Sequence, residues 1–237
     1  MSMKLRLIYS PNMGFKKRRK NQIKFIIFHY TGMKSEKLAI KKLTNLQSGV
    51  SSHYLIKKSG EIVLMVPDLY TAWHAGISAW KRYKLLNANS IGIEISNPGH
   101  QFGYMDFSKK QIKSLIKLSK FLIRKYGIKK NNILGHSDIA PDRKKDPGEK
   151  FPWEFLSKNK IGLWYKLDKR KLKLYRGKKI SDINKKLFKN NLTKFGYSSS
   201  NKFAVKAFQR RFRPALVNGQ IDQECMTIIN KLLNNKK

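Results

Sequence analysis

The chain has 237 residues, with 52 Lys and Arg against 14 Asp and Glu, which gives a formal net charge of +38. Its 41% hydrophobic content excludes a disordered polyelectrolyte and suffices for one good-sized domain with a smaller one beside it. No apolar stretch approaches the roughly 18 residues of a transmembrane helix. The single cysteine, Cys225, excludes an internal disulfide and a cysteine-based metal cluster.

The positive charge predicts attraction to a polyanion. Basic residues are spread along the whole chain, Lys outnumbers Arg, and KKRRK (16–20) is the only dense run. A specific nucleic-acid reader more often concentrates arginine on one element. We therefore expect a solvated lysine surface suited to general attraction of polyanions, with no specific nucleic-acid ligand. Nucleic acid, acidic membrane and anionic cell-wall polymer are all candidate polyanions. A nucleic-acid-binding protein is the hypothesis that rests on charge alone.

The first 20 residues contain only a short apolar patch, and no small-residue cleavage site follows it. A secretory signal needs both features. This pattern predicts a cytoplasmic location, or the cell envelope or periplasm if a leader precedes the sequence given.

Three apolar runs predict strands. They are QIKFIIFHY (22–30), SIGIEIS (90–96) and NNILGH (131–136). The first ends near His29, the second is interrupted by Glu94, and the third ends on His136. Ligand sites in open α/β sheets gather at strand ends, so these three side chains are expected to converge.

Helices and a hairpin are predicted around these strands. SEKLAIKKLTNL (35–46) has helical spacing, and HYLIKKSGEIVLMVP (53–67) predicts a hairpin. SKKQIKSLIKLSKFLIRKYG (108–127) is the clearest helix, with a capping box at its start and a glycine at its end. The elements predict an α/β fold for residues 1–162, a mixed central β-sheet flanked by helices.

The pattern changes after residue 162. A charged stretch at 163–177 predicts a linker, and three short helical patterns follow it at 180–190, 201–212 and 222–233. These patterns predict a small C-terminal three-helix domain at 178–237. It is too small for an active-site cleft and has the size of a docking module.

Two of the five histidines end separate predicted strands, which is a stronger signal than any single histidine. A zinc site that does chemistry typically has three protein ligands and leaves a fourth position to water. Without usable cysteines, two histidines and one carboxylate fit this description. Spacing alone leaves the carboxylate open among Asp138, Asp142 and Asp146, which share a loop containing two prolines.

Glu94 is a carboxylate in an otherwise apolar strand. One interpretation is a buried ion pair with a lysine, and the other is a general base whose pKa is raised by burial. Lys144 could supply positive charge to a developing oxyanion. In a chain so rich in lysine, its spacing alone is a weak signal.

Five sequence blocks resemble type 2 N-acetylmuramoyl-L-alanine amidases (AmiD-like and AmpD-like), zinc enzymes of bacterial cell-wall metabolism related in fold to peptidoglycan recognition proteins. The blocks are FHYTG (28–32), VSSHYLIKKSGEIVLMVPD (50–68), AWHAG (72–76), NSIGIEISNPG (89–99) and GHSDIAPDRKKDPG (135–148). The resemblance covers roughly residues 8–160. The tail, with AVKAFQRRFRP and GQIDQECMTIINKLL, resembles the peptidoglycan-binding module of the AmiD-like branch, which AmpD-like members usually lack.

The resemblance implies that His29, His136 and Asp146 bind zinc. It implies the role of catalytic acid/base for Glu94 and of transition-state stabilisation for Lys144, while Asp138 and Asp142 would shape the loop. The residues expected to contact the substrate in the cleft are His53, Trp73, His74 and Asn97. His100 matches no block and is expected at the surface.

The implied reaction is hydrolysis of the amide bond between N-acetylmuramic acid and the L-alanine of the stem peptide. The substrate would be peptidoglycan or (anhydro)muropeptides, in cell-wall degradation or recycling. The alternative is a non-catalytic peptidoglycan-binding receptor on the same fold. The complete set of ligands, with Glu94 and Lys144, argues against a receptor because binding alone requires none of them.

Overall fold

The computed structural model describes residues 4–234, and a six-stranded mixed sheet lies at its centre. The strands are β1 Arg6–Leu7, β2 Phe25–Tyr30, β3 Tyr54–Ile56, β4 Ile62–Leu64, β5 Ala79–Trp80, β6 Tyr83–Lys84, β7 Ser90–Ile95 and β8 Ile133–Gly135. The strand order in the sheet is β1-β4-β3-β7-β2-β8, and β5 and β6 form a separate two-stranded ribbon. Within the sheet the β3–β4 hairpin is antiparallel and the other pairs are parallel.

β2 is apolar from Phe25 to Phe28 because this part of the strand is covered on both faces. Phe25 and Ile27 contribute to one hydrophobic core, while Ile26 and Phe28 contribute to another on the opposite face. β7 and β8 pair with its two edges. A stretch of strand enclosed in this way has no polar face. The predicted strands of this region are confirmed.

The helices are α1 Glu36–Thr44, α2 Lys109–Tyr126, α3 His136–Ile139, α4 Trp153–Lys158, α5 Lys169–Tyr175, α6 Asp182–Phe195, α7 Lys202–Phe212 and α8 Gln223–Asn234. α2 begins with the predicted capping box between Ser108 and Gln111 and ends at Gly127. It covers one face of the sheet with Leu115, Leu118 and related side chains. Burying each such side chain contributes roughly 1.5–3 kcal/mol.

Two separate elements cover the other face of the sheet. Near β3 and β4, Leu43 of α1 packs with Leu55, Val63 and Met65. Near β2 and β8, the cover is the C-terminal helices, whose Phe208 belongs to the same core as residues of β2. A pocket lies between these two covers, at the carboxyl ends of the parallel strands.

The three predicted tail helices are present as α6, α7 and α8. The predicted linker at 163–177 contains α5, which packs against α8. The tail also contacts the ribbon closely: a Cβ on Gly196, at φ +144°, would lie 2.6 Å from the Trp80 ring. The tail helices therefore share a core with the sheet. No helix within residues 4–234 has the length and apolar character to cross a bilayer.

Candidate active site

Three side chains that can bind a metal meet where β2 and β8 end. His29 lies on β2, His136 begins α3 directly after β8, and Asp146 lies at the end of the loop that follows. Nδ1 of His29 is 2.9 Å from Nδ1 of His136 and 3.0 Å from Oδ2 of Asp146. The remaining distance, from Nδ1 of His136 to the same oxygen, is 3.1 Å. All three side chains are buried and present their ligand atoms to one position.

This donor set fits a metal ion. The two ring nitrogens face each other at 2.9 Å, and the carboxylate oxygen lies close to both. Metal–ligand distances of about 2.0–2.1 Å in a tetrahedral site place the donors roughly 3.3 Å apart. The observed triangle is close to that size, so these residues can hold a metal ion.

The protonation states also suit metal binding. Burial and the neighbouring His136 lower the pKa of His29 to about 4. Burial acts to raise the pKa of Asp146, but its contacts with His136 and His29 hold that pKa well below its usual range. Neutral imidazole and ionised carboxylate are the forms that bind a cation.

The outer nitrogens of both histidines are held as well. Nε2 of His29 lies 3.0 Å from Nδ1 of His74, whose Nε2 lies 3.1 Å from the hydroxyl of Ser90. Nε2 of His136 lies 3.2 Å from the backbone carbonyl of Ala75. Such partners fix the orientation of the rings. The His74 ring needs Gly92 beneath it, because a Cβ there would lie 2.4 Å from the ring.

Glu94 lies beside His29 in the register of β7 and β2 and lines the same pocket. Its Oε2 is buried and has no hydrogen-bond partner among the described residues. Burial, assisted by the negative charge of Asp146, raises the pKa of Glu94 well above its ordinary value, while Lys144 opposes the shift. Within residues 4–234 no lysine forms an ion pair with Glu94, and its carboxyl is available to the pocket.

The pocket has a volume of about 510 Å³ and is lined by several positively charged side chains. Lys42, Lys144 and Lys145 line it together with Glu94. Lys144 lies two residues before Asp146, and its charge acts on the Glu94 carboxyl. An anion that forms in this pocket would therefore meet positive charge on one side.

The family model described as N-acetylmuramoyl-L-alanine amidase matches residues 19–149, which include the whole of this site. The chain belongs to this amidase family. It is 36% identical over 233 residues to the N-acetylmuramoyl-L-alanine amidase AmiD of Escherichia coli, covering 90% of this chain and 83% of AmiD. It is 40% identical over 104 residues to the 1,6-anhydro-N-acetylmuramyl-L-alanine amidase AmpD of Citrobacter freundii, covering 44% of this chain and 54% of AmpD.

Solved structures agree with this assignment. The complex of E. coli AmiD with the substrate anhydro-N-acetylmuramic acid-L-Ala-D-gamma-Glu-L-Lys has a TM-score of 0.79 at 35% identity and covers 90% of each chain. AmpDh3 of Pseudomonas aeruginosa, in complex with anhydromuramic pentapeptide, has a TM-score of 0.79 at 31% identity and covers 91% of this chain and 92% of its own. Both matches cover more of this chain than residues 1–162 alone, and the amidase fold is confirmed.

Two of the four residues predicted to contact substrate line the pocket of this amidase-family chain. Trp73 is 37% exposed at its rim, and His74 forms part of its wall. Both ring nitrogens of His74 are already within hydrogen-bonding distance of protein groups. Its geometry is that of a residue that orients His29.

The other two predicted contacts lie away from the pocket wall. His53 is fully buried behind His74, and its Nε2 lies 2.9 Å from the Arg18 guanidinium. Asn97 is also buried, and its amide donates to the backbone carbonyl of Met105 at 2.8 Å. In this geometry both residues support the backbone around the pocket without reaching into it.

His100, which matches no block of the resemblance, is half-buried and belongs to the pocket lining. Its ring lines the pocket, with Nδ1 2.9 Å from the Tyr30 hydroxyl and Nε2 3.1 Å from the Glu149 carboxylate. One signal could have identified it: the Asn97-Pro98-Gly99 turn brings the chain back directly after β7, at the same edge of the sheet as His29.

The remaining acids of the loop have separate positions. Asp138 is buried, and its Oδ2 accepts a hydrogen bond from the Gly135 backbone at 2.8 Å. Asp142 is exposed. Neither belongs to the cluster of ligand atoms, which agrees with a role for Asp138 in shaping the loop.

Proposed function

We propose that this chain is a zinc-dependent amidase that cleaves the bond between N-acetylmuramic acid and the L-alanine of the stem peptide. The observation that carries the proposal is the unpaired Glu94 carboxyl next to the cluster formed by His29, His136 and Asp146. The relatives of this chain support a muropeptide substrate, since the structures of AmiD and AmpDh3 have been solved with anhydromuramyl peptides.

His29, His136 and Asp146 would hold the zinc ion. Two histidines and one carboxylate form a catalytic zinc site that keeps a position open. When bound there, zinc would polarise the scissile carbonyl and make a water molecule more acidic.

The side chains of the chain itself would carry the proton and stabilise the charge. Glu94 would accept a proton from the attacking water at its free carboxylate oxygen and then deliver it to the departing nitrogen of L-alanine. A raised pKa suits this double role, since the group must both take and give a proton near neutral pH. The Lys144 ammonium would stabilise the negative charge that develops on the carbonyl oxygen.

The test is the Glu94→Gln variant assayed on anhydro-N-acetylmuramic acid-L-Ala-D-γ-Glu-L-Lys. We expect kcat to fall by about 10²- to 10⁴-fold because the proton carrier is lost, while the bound zinc per chain stays the same. Glu61→Gln changes a carboxylate on the distant β3–β4 hairpin and should keep the wild-type rate. Unchanged release of L-alanine amino groups by the Glu94 variant would overturn the mechanism.

Removal of the metal distinguishes the amidase hypothesis from the hypothesis of a non-catalytic receptor. We expect a chelator to abolish hydrolysis and added zinc to restore it. Tight binding of the muropeptide without any hydrolysis by the zinc-loaded chain would instead support a non-catalytic receptor.

A further inference from the structure

The active-site pocket does not end at Lys144. A second groove of about 500 Å³ lies between the 141–149 loop and the C-terminal helix α7. His100, Arg143, Lys144 and Lys145 line both the pocket and this groove. A ligand bound at the metal cluster could therefore extend along a continuous path toward the tail.

The groove is strongly basic. Five lysine and arginine side chains line it: Arg143, Lys144, Lys145, Lys206 and Arg210. The acidic side chains in its lining are Asp142 and Glu149. Within residues 4–234 the ammonium groups of Lys145 and Lys206 have neither an ion-pair partner nor a hydrogen-bond acceptor. The groove thus offers positive charge that the described protein does not neutralise.

Arg210 is a buried arginine in the lining of this groove. Its side chain is 10% exposed, and its one ion pair with a described residue is a 3.5 Å contact between Nε and the Glu149 carboxylate. Its Nε has no hydrogen-bond partner among the described residues. The Glu149 carboxylate also lies 3.1 Å from Nε2 of His100. A buried guanidinium normally satisfies its donors. Among the described residues the Arg210 guanidinium has no hydrogen-bond partner beyond this long contact with Glu149, so its donors remain open to a ligand in the groove that it lines.

We propose that this groove binds a free carboxylate of the stem peptide, with Arg210 and Lys206 as its anchors. The proposal rests on the amidase function above. A γ-linked D-glutamate leaves its α-carboxylate free, and the last residue of the stem carries another. Guanidinium and ammonium groups recognise such anions, while Phe203, Pro141 and Pro214 provide an apolar wall for the aliphatic parts of the peptide.

The carboxylate could come from the stem that is being cut or from a neighbouring stem in intact wall. The chemistry is the same, and the substrate distinguishes the two sources. Soluble anhydromuramyl tripeptide contains the first source only, whereas intact sacculi contain both.

The experiment compares Lys206→Gln and Arg210→Gln with Lys202→Gln. Lys202 is an exposed lysine on the same helix and lies outside the groove. On anhydromuramyl tripeptide with free carboxylates we expect KM to rise about threefold to tenfold for the Lys206 variant and more for the Arg210 variant. The Lys202 variant should match wild type, and kcat should change less than twofold in all three. With the stem carboxylates amidated, the variants should have wild-type KM values.

An equal KM increase on free and amidated stems would overturn the proposal, as would no effect on either tripeptide or sacculi. A loss confined to sacculi would support the groove and assign the carboxylate to a neighbouring stem. Calorimetric binding of the free L-Ala-D-γ-Glu-L-Lys peptide to wild type and the Lys206 variant tests the groove without turnover. If wild type hydrolyses nothing, the amidase proposal fails while this binding comparison still decides the groove.

Discussion

His29 uses both of its ring nitrogens, and this determines where its proton lies. A metal held at Nδ1, beside His136 and Asp146, would need the lone pair of that nitrogen, and the proton of His29 would then lie on Nε2 and be donated to Nδ1 of His74 at 3.0 Å. In that tautomer His74 would donate its own Nε2 proton to the Ser90 hydroxyl at 3.1 Å. This relay presents His29 in the tautomer and orientation that metal binding requires.

Replacing His74 by Phe removes the acceptor for His29 and keeps an aromatic ring in place. We expect the affinity for zinc to fall by about 10- to 100-fold, the usual effect of losing such a partner. Competition with a chelator of known affinity measures this directly. His100→Phe changes another pocket histidine that does not contact the ligands, and it should bind zinc as wild type does. Wild-type zinc affinity in the His74 variant would refute the relay.

Some residues of the site can be predicted from the sequence, and others cannot. His29 and His136 can be predicted because they end strands, and strand ends converge in a parallel sheet. Asp146 cannot be chosen by spacing, because the path of its loop depends on tertiary contacts such as the 2.8 Å bond from the Ser137 amide to the Asp146 carbonyl. The family resemblance singles out Asp146, and spacing does not.

The positions of His53 and His100 show the same limit. His53 stands between Ser52 and the apolar run of β3, and His100 follows a Pro-Gly turn, so neither local sequence shows which groups surround the side chain. His53 is buried because Arg18 and the carbonyl of Tyr70, both distant in sequence, enclose its ring. Contacts of this kind are absent from local patterns.

At the scale of the elements, hydrogen bonds and an ion pair connect α3 to the C-terminal helices. Oδ2 of Asp138 accepts from Nη1 of Arg211 at 2.5 Å, and Oδ1 accepts from the Tyr197 hydroxyl at 2.7 Å. The ion pair is buried, and Arg211 also stacks over the Trp153 ring. Since Asp138 lies two residues after His136, the C-terminal helices help to hold the turn that presents His136 to the pocket.

Replacing Arg211 by Met leaves Asp138 as an uncompensated buried charge. We expect the free energy of unfolding to fall by about 3–5 kcal/mol, as measured by urea denaturation, and to recover in part when Asp138→Asn is added. Lys169→Met breaks an exposed pair with Glu154 and should cost less than about 1 kcal/mol. A loss as small as that of the Lys169 variant would show that the tail does not brace this loop.

A second buried acid connects α2 to the end of the β3–β4 hairpin. Oδ2 of Asp68 accepts from Nζ of Lys125 at 2.8 Å and from the Tyr126 hydroxyl at 2.6 Å. Its Oδ1 accepts from the Tyr54 hydroxyl at 2.6 Å. Burial acts to raise the pKa of Asp68, but these hydrogen bonds lower it below its ordinary value.

A carboxyl whose pKa is lowered by folding stabilises the fold above its unfolded pKa and loses that contribution as the pH falls through the folded pKa. We expect Asp68→Asn to unfold about 1–3 kcal/mol more easily at pH 6. This deficit should shrink as the pH drops below about 3.9, the unfolded value. Urea midpoints of both proteins between pH 6 and 3 test this. A deficit that stays constant with pH would contradict it.

The elements themselves were predictable where they are long. α2 carries its own caps and an apolar stripe, so the local sequence suffices. The short helices α3, α4 and α5 were missed because helices of one or two turns are unstable alone and depend on packing. In α5 the one buried residue is Leu172, which leaves almost no pattern to read.

At the scale of the whole molecule, the charge of +38 acts over distances set by salt. The Debye length falls from about 10 Å at 0.1 M to about 3 Å at 1 M. We expect kcat/KM on anionic sacculi to fall about tenfold over this range, with a smaller loss on a soluble anhydromuramyl tripeptide. Equal salt dependence on both substrates would show that the lysine surface does not guide the chain to polymer.

The residues proposed to hold the metal are far apart in the chain, and this sets an order of events during synthesis. His29 meets His136 across 107 positions and Asp146 across 117. A nascent chain that has not yet reached residue 146 therefore lacks a complete ligand set. The partners that fix Asp138 emerge later still, at Tyr197 and Arg211, which lie 59 and 73 positions beyond it. The proposed metal site can therefore form only after residue 146 has been made, and its loop is fully held only after residue 211.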